Sequence, residues 1–160
     1  MWEPKTFEDQ LLKRYLDDNP GKLYLEVSVS FMTELSKARR IDGVLIPGEE
    51  AIVYRQGSYS ISQFRKDISG KTVHLIEAKR GLGRYVIGQI QVEERLLKHV
   101  FQPAEIVMVV LGGEGNPDIE WYCNNHNIKI AIYIQLKVLK YPFKKELQLK
   151  DAKTFVVLQI

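Results

Sequence analysis

A mixed α/β fold is predicted for this chain, with helices flanking a central sheet in the order helix–strand–strand–strand–helix–strand. Three features predict it. Two short apolar runs, Ile41-Asp42-Gly43-Val44-Leu45-Ile46 and Val73-His74-Leu75-Ile76-Glu77-Ala78, have the length and boundaries of buried strands. A third run, Glu105 to Leu111, is nearly all apolar, as a strand covered on both faces should be. Segments with apolar residues at helical spacing lie before and between these runs.

The first helix spans about residues 6–18. Phe7, Leu11, Leu12, Tyr15 and Leu16 recur at helical spacing, Thr6 is a candidate N-cap with Asp9 three residues on, and Asn19-Pro20-Gly21 stops it. Residues 22–31 alternate, with Leu23, Leu25, Val27 and Val29 on one face of a strand. Residues 32–39 form a polar turn or short helical piece. The second strand covers about 40–47 and ends at Pro47-Gly48. Residues 49–72 are an insertion that fits either a hairpin around Gln56-Gly57 or a strand followed by a short helix. The third strand spans 72–79. A helix over about 85–101 carries the stripe Val86, Ile87, Ile90, Leu97 and Val100.

After Leu111 the segment Gly112-Gly113-Glu114-Gly115 is expected to be a loop, since it lacks the Gly-Lys-Ser/Thr of a phosphate-binding loop. Pro117 opens a short helix over 117–125, Ile128 to Val138 forms a fifth strand, and Thr154 to Ile160 a last one. The 160 residues are expected to make a single domain, with a core over about 6–111 and a C-terminal extension, 112–160, that completes the sheet.

Composition sets bounds. Hydrophobic residues make up 45% and charged residues 27%, a globular balance. The net charge of +3 permits nucleic acid as a partner without singling it out. One cysteine, Cys123, excludes an internal disulfide and a thiolate zinc site, and suits a reducing, intracellular (cytoplasmic) compartment. No run is long enough for a membrane span, and the first residues lack a signal-peptide pattern.

The chemistry lies in the two acid-bearing strands. An acid inside an apolar run needs its charge compensated. Glu77 and Lys79 are two apart, so they share a strand face, and Ala78 points into the other layer. If the strands pair, Asp42 lies beside Glu77. Two adjacent carboxylates are stable when a cation shares them. Oxygen ligands suit Mg²⁺ or Mn²⁺, with the Ala78 carbonyl as a further donor. Lys79 would orient a nucleophilic water or stabilise phosphate charge.

The set Asp42, then Glu77-Ala78-Lys79, resembles the signature of the PD-(D/E)XK, or restriction-endonuclease-like, nuclease superfamily. Arg40-Ile41-Asp42-Gly43-Val44-Leu45 is similar to a strand of the NucS/EndoMS and RecB-like nuclease domains. So is Ile76-Glu77-Ala78-Lys79-Arg80-Gly81 followed by Gly88-Gln89-Ile90, and Phe7-Glu8-Asp9 through Asn19-Pro20 is similar to their first helix. The likeness runs from residue 7 to about 111. It implies metal-dependent hydrolysis of DNA phosphodiesters by a restriction-endonuclease-like core. Asp42 and Glu77 would hold the metal, Lys79 would be the catalytic lysine, Gln89 would support the site, and Glu8 would reach the metal through water. Arg40, Arg80 and Arg84 flank the acids as candidate nucleic-acid contacts by position and charge. Ile41 stands where the superfamily often has proline, and neither 49–72 nor 112–160 has a counterpart.

The chain offers little equipment for reading a long DNA sequence, so branched, flapped or single-stranded DNA is the expected substrate. A homodimer is a further expectation, with the apolar tail Phe155 to Ile160 pairing across an interface. The rival readings are a catalytically inactive nucleic-acid-binding or scaffold subunit, an interaction module centred on residues 112–160, and an RNA substrate. Tyr54, Tyr59 and Phe64, interleaved with Arg55, Arg65 and Lys66, suit either a nucleic-acid grip or packing on the domain.

Overall fold

The computed structural model describes residues 2–29 and 40–134 in full and the backbone of residues 156–158. Four helices flank one mixed sheet. In chain order the elements are α1 (Phe7–Asp18), β1 (Gly21–Ser28), β2 (Arg40–Pro47), β3 (Ile52–Tyr54), α2 (Ile61–Ile68), β4 (Thr72–Gly81), α3 (Arg84–Phe101), β5 (Glu105–Glu114), α4 (Pro117–Asn125), β6 (Ile128–Ile134) and β7 (Val156–Leu158). The seven strands lie in the order β3-β1-β2-β4-β5-β6-β7. β1, β2 and β4 pair antiparallel, whereas β4, β5 and β6 run parallel. The polar segment expected at 32–39, the end of the fifth strand beyond Ile134 and the tail before Val156 lie outside the described residues.

α1 forms where its spacing and caps predict. The Thr6 hydroxyl accepts from the Asp9 amide at 3.0 Å, and the Asp9 carboxylate accepts from the Thr6 amide at 3.1 Å, which closes a capping box. Its stripe Leu11, Leu12, Tyr15 and Leu16 buries against Leu23, Leu25, Leu45, Ile76 and Val109 on one face of the sheet. Burying side chains of this size contributes about 1.5–3 kcal/mol each. The opposite face carries α2, α3 and α4 through Phe64, Ile68, Val86, Ile90, Leu97 and Ile119. α1 comes close to β2 because residue 43 is glycine: a Cβ there would lie 2.9 Å from Leu12 Cδ2.

Two expectations change, and the alternatives left open for the insertion are decided. The alternation of β1 does not hold throughout, because Leu23 and Leu25 pack under α1 while Val27 and Val29 join the other core with Tyr24. The break falls at Glu26, whose φ of +53° is left-handed. The insertion takes the second of its two expected forms, a strand followed by a short helix. Ile52–Tyr54 adds to the outer edge of β1 in parallel, and the second half is helix α2, capped by Ser60. Its aromatic rings are core: Tyr24 stacks on Tyr54 at 4.6 Å and meets Tyr59 and Phe64 edge-on at 4.9 Å. Val156–Leu158 of the apolar tail pairs with β6 inside the chain, so its backbone is already engaged on that side.

The second change concerns Gly112-Gly113-Glu114, which extends β5 rather than forming a loop. The glycines answer packing. A Cβ on Gly113 would fall 2.4 Å from the Phe7 ring, and one on Gly112 would fall 2.9 Å from Ile132 Cδ1. Arg80 covers the same Phe7 ring, with its guanidinium carbon 4.5 Å from the centroid. Gly113→Ala should therefore displace Phe7 and lower stability by about 1–3 kcal/mol. In a chain of this size that is a fall of about 3–10 °C in the midpoint of a thermal unfolding curve. Pairing it with Phe7→Leu should recover part of the loss.

Candidate active site

β2 and β4 pair through Gly43↔Ile76, Val44↔Leu75 and Leu45↔His74. One step further along the same register sets Asp42 opposite Glu77. There the Asp42 carboxylate takes over from the ladder, and its Oδ2 accepts from the Ala78 amide at 3.0 Å. Strand alternation sends Val73, Leu75, Glu77 and Lys79 toward α3, and His74, Ile76 and Ala78 toward α1. His74 confirms the assignment of faces, since its Nδ1 is 2.9 Å from the Tyr15 hydroxyl on α1.

Lys79 Nζ lies 3.1 Å from Asp42 Oδ2 and 3.0 Å from Glu77 Oε2. The ammonium thus bridges both acids. Gln89, one turn into α3, donates from Nε2 to Glu77 Oε2 at 2.8 Å and to Glu93 Oε1 at 3.2 Å. Four of the candidate residues, Asp42, Glu77, Lys79 and Gln89, therefore meet at one point of the sheet.

The Glu77 side chain is fully buried, and its Oε1 has no hydrogen-bond partner. Burial raises the Glu77 pKa well above the carboxylate range; a hydrogen bond with Glu93 and the charges of Asp42 and Glu93 add to this, and Lys79 opposes it. Burial disfavours the Lys79 ammonium, but the charges of Asp42 and Glu77 outweigh it and raise the lysine's pKa. An ammonium that stays protonated can serve as a fixed positive charge and hydrogen-bond donor, and not as a base.

Two further acids escaped the sequence reading. Glu93 is fully buried. It stands in the helical series Val86, Ile90, Glu93, Leu97, where every other member is apolar, and that interruption was the available signal. Glu26 is the second. Its side chain is half exposed; partial desolvation and then the charge of Asp42 raise its pKa, with Arg40 opposing. An acid in the run Leu23-Tyr24-Leu25-Glu26-Val27 is the same kind of anomaly as Asp42.

The remaining candidates stand apart. Glu8 is half-buried in the first turn of α1, and among the described residues no hydrogen bond or ion pair joins it to Asp42, Glu77 or Lys79. Arg40 reaches Gln56 at 3.2 Å and Glu26 at 3.9 Å. Arg80 lies over Phe7, and Arg84 is exposed at the start of α3.

The donor set fits a hard cation: all-oxygen acceptors, one of them buried without a partner, and a resident positive charge already shared by two carboxylates. Among the described residues no three acidic, histidine or cysteine side chains converge on one point, so water would complete the coordination. Comparison with protein-family models, with curated proteins and with solved structures finds no match for this chain. Among the described residues no helix is long and apolar enough to cross a membrane.

Lys79→Met tests the electrostatics directly. Without the ammonium, Asp42 and Glu77 face each other uncompensated. The variant should lose about 1–3 kcal/mol of stability at pH 10, above the Glu77 value of about 9, and much less at pH 5, where Glu77 is protonated. Denaturant unfolding at the two pH values measures the difference.

Proposed function

We propose that this chain is a metal-dependent deoxyribonuclease. The observation that carries the reading is the Lys79 ammonium between two carboxylates, one of which keeps a buried, unpartnered oxygen. Asp42 and Glu77 would hold Mg²⁺ or Mn²⁺, assisted by water and by the Ala78 carbonyl. The metal, when bound, supplies a more acidic water and polarises a phosphoryl oxygen. Gln89 fixes the orientation of the Glu77 carboxylate from α3. Lys79, released from the acids by the metal's charge, is placed to hold the phosphate or the attacking water. Arg84, exposed at the start of α3, would meet the DNA backbone, whereas Arg80 is held over Phe7 on the other face of the sheet.

The likeness of Arg40–Leu45 and Ile76–Gly81 to the PD-(D/E)XK nucleases supports the same activity. One observation favours the alternative of an inactive scaffold or binding subunit: the ion pairs of Lys79 satisfy Asp42 without any metal. A gel assay separates the two. Purified protein with single-stranded, duplex, flap and four-way DNA should cut at least one substrate in Mg²⁺ or Mn²⁺ and none in chelator. Binding without cutting in every lane would favour the scaffold.

A further inference from the structure

We propose that the cleft between α3 and α4 holds an unpaired base of a single-stranded DNA segment, with Trp121 as its stacking face. The cleft has a volume of about 530 Å³ and is lined by Arg84, Ile87, Gly88, Asp118, Trp121 and Tyr122. That is within the size range of small-molecule sites. The Trp121 indole is 65% exposed. A side chain of this size normally buries most of its surface. Tyr122 forms a firm wall beside it, stacked on His126 at 3.8 Å with its hydroxyl 3.4 Å from Gln91 Nε2. Gly88 leaves the floor open, since a Cβ there would meet nothing within 4 Å.

The polar groups choose the occupant. Neither the Arg84 guanidinium nor the Asp118 carboxylate has a hydrogen-bond or ion-pair partner among the described residues. An apolar peptide seated here would bury both groups without partners, which is costly. A nucleotide answers each in turn: its ring stacks on the indole, an amino or imino edge donates to Asp118, and its phosphate meets Arg84. A base inside a duplex is stacked on its neighbours and cannot enter. The cleft thus selects unpaired DNA.

The position is apt for the proposed nuclease. Gly88 lines the cleft, and the next residue, Gln89, holds Glu77. Adjacent positions of α3 thus serve the cleft and the acids. The inference rests on the nuclease reading for its purpose but not for its chemistry.

The test uses the full chain with Trp2→Phe, which leaves Trp121 as the sole indole. An oligothymidylate and a matched duplex are titrated in chelator, so that binding is read apart from cleavage. The oligothymidylate should quench Trp121 fluorescence and the duplex should not. In a separate titration, followed by a labelled oligonucleotide, Trp121→Ala should weaken single-strand binding about tenfold, and Trp121→Phe should restore most of it. Single-strand binding without quenching, or an alanine variant that binds as tightly as the parent, would overturn the proposal. A quench in a protein that never cuts would sustain the cleft and sink the nuclease reading. Metal-dependent cutting without a quench would do the reverse.

Discussion

Asp42→Asn and Glu77→Gln are each expected to slow metal-dependent DNA cleavage by about a thousandfold. Both changes are nearly isosteric. The Asp42→Asn side chain keeps an oxygen for the Ala78 amide, which donates to Asp42 at 3.0 Å in the parent. The Glu77→Gln side chain keeps an oxygen for Gln89. What each variant loses is a negative charge at the cation's proposed position, and with it the hold on the metal. A loss of folding would be a different result, so circular dichroism and thermal unfolding belong beside the assay. Cleavage surviving within tenfold in either variant would remove that residue from the catalytic machinery.

The second large effect concerns stability, pH and metal. The pKa of Glu77 in the folded chain is raised to about 9 from its ordinary 4.5. Its contribution to stability is therefore whole below about pH 4.5 and is lost as the pH rises through the folded value. Lys79 is also raised, so its contribution persists across this window and fades only above its ordinary range. Asp67 has the opposite sign: the Tyr24 hydroxyl bonded to it lowers its pKa, so its contribution is lost as acid protonates it.

Without metal, thermal stability should accordingly peak near pH 5 and decline toward pH 9. Mn²⁺ at a hundred times its dissociation constant should add about 2.7 kcal/mol. That is about 5–10 °C in the unfolding midpoint. The gain should be larger at pH 8 than at pH 5, because metal and proton compete for Glu77. Glu77→Gln should flatten the alkaline decline and abolish most of the metal shift. A parent protein with neither a decline nor a shift would sink the assignment of this pair as a metal site.

Much of the site was legible because its residues break local rules. Asp42 and Glu77 interrupt apolar strands, and the two-residue period set Lys79 beside Glu77 and His74 away from it. Gln89 followed only from the likeness to known nucleases; it is the residue of α3 that donates to Glu77. The misses depend on distant partners. Gly112-Gly113 looks like a turn until Phe7, far off in sequence, lies across it. β3 joins β1 in parallel, a pairing that no hairpin signal announces. Glu93 was visible as a flaw in an apolar stripe, but only its approach to Gln89 gives that flaw a meaning.

The placement of α1 bears on the order in which the molecule can be made. Residues 40–93 hold Asp42, Glu77, Lys79, Gln89 and Glu93, a stretch with mostly nearby partners. α1, synthesised before all of them, packs on Val109, Leu111 and Tyr133, and the Tyr133 hydroxyl donates to Asp18 across 115 positions of sequence at 2.9 Å. Contacts of that span are slow to form, and they cannot form until the ribosome has released β6. The first helix to emerge can thus meet Leu23, Leu25, Leu45 and Ile76 early but completes its packing only when β5 and β6 arrive. Until it docks fully, the strands bearing both acids have one bare face, the one opposite the Glu77 and Lys79 side chains.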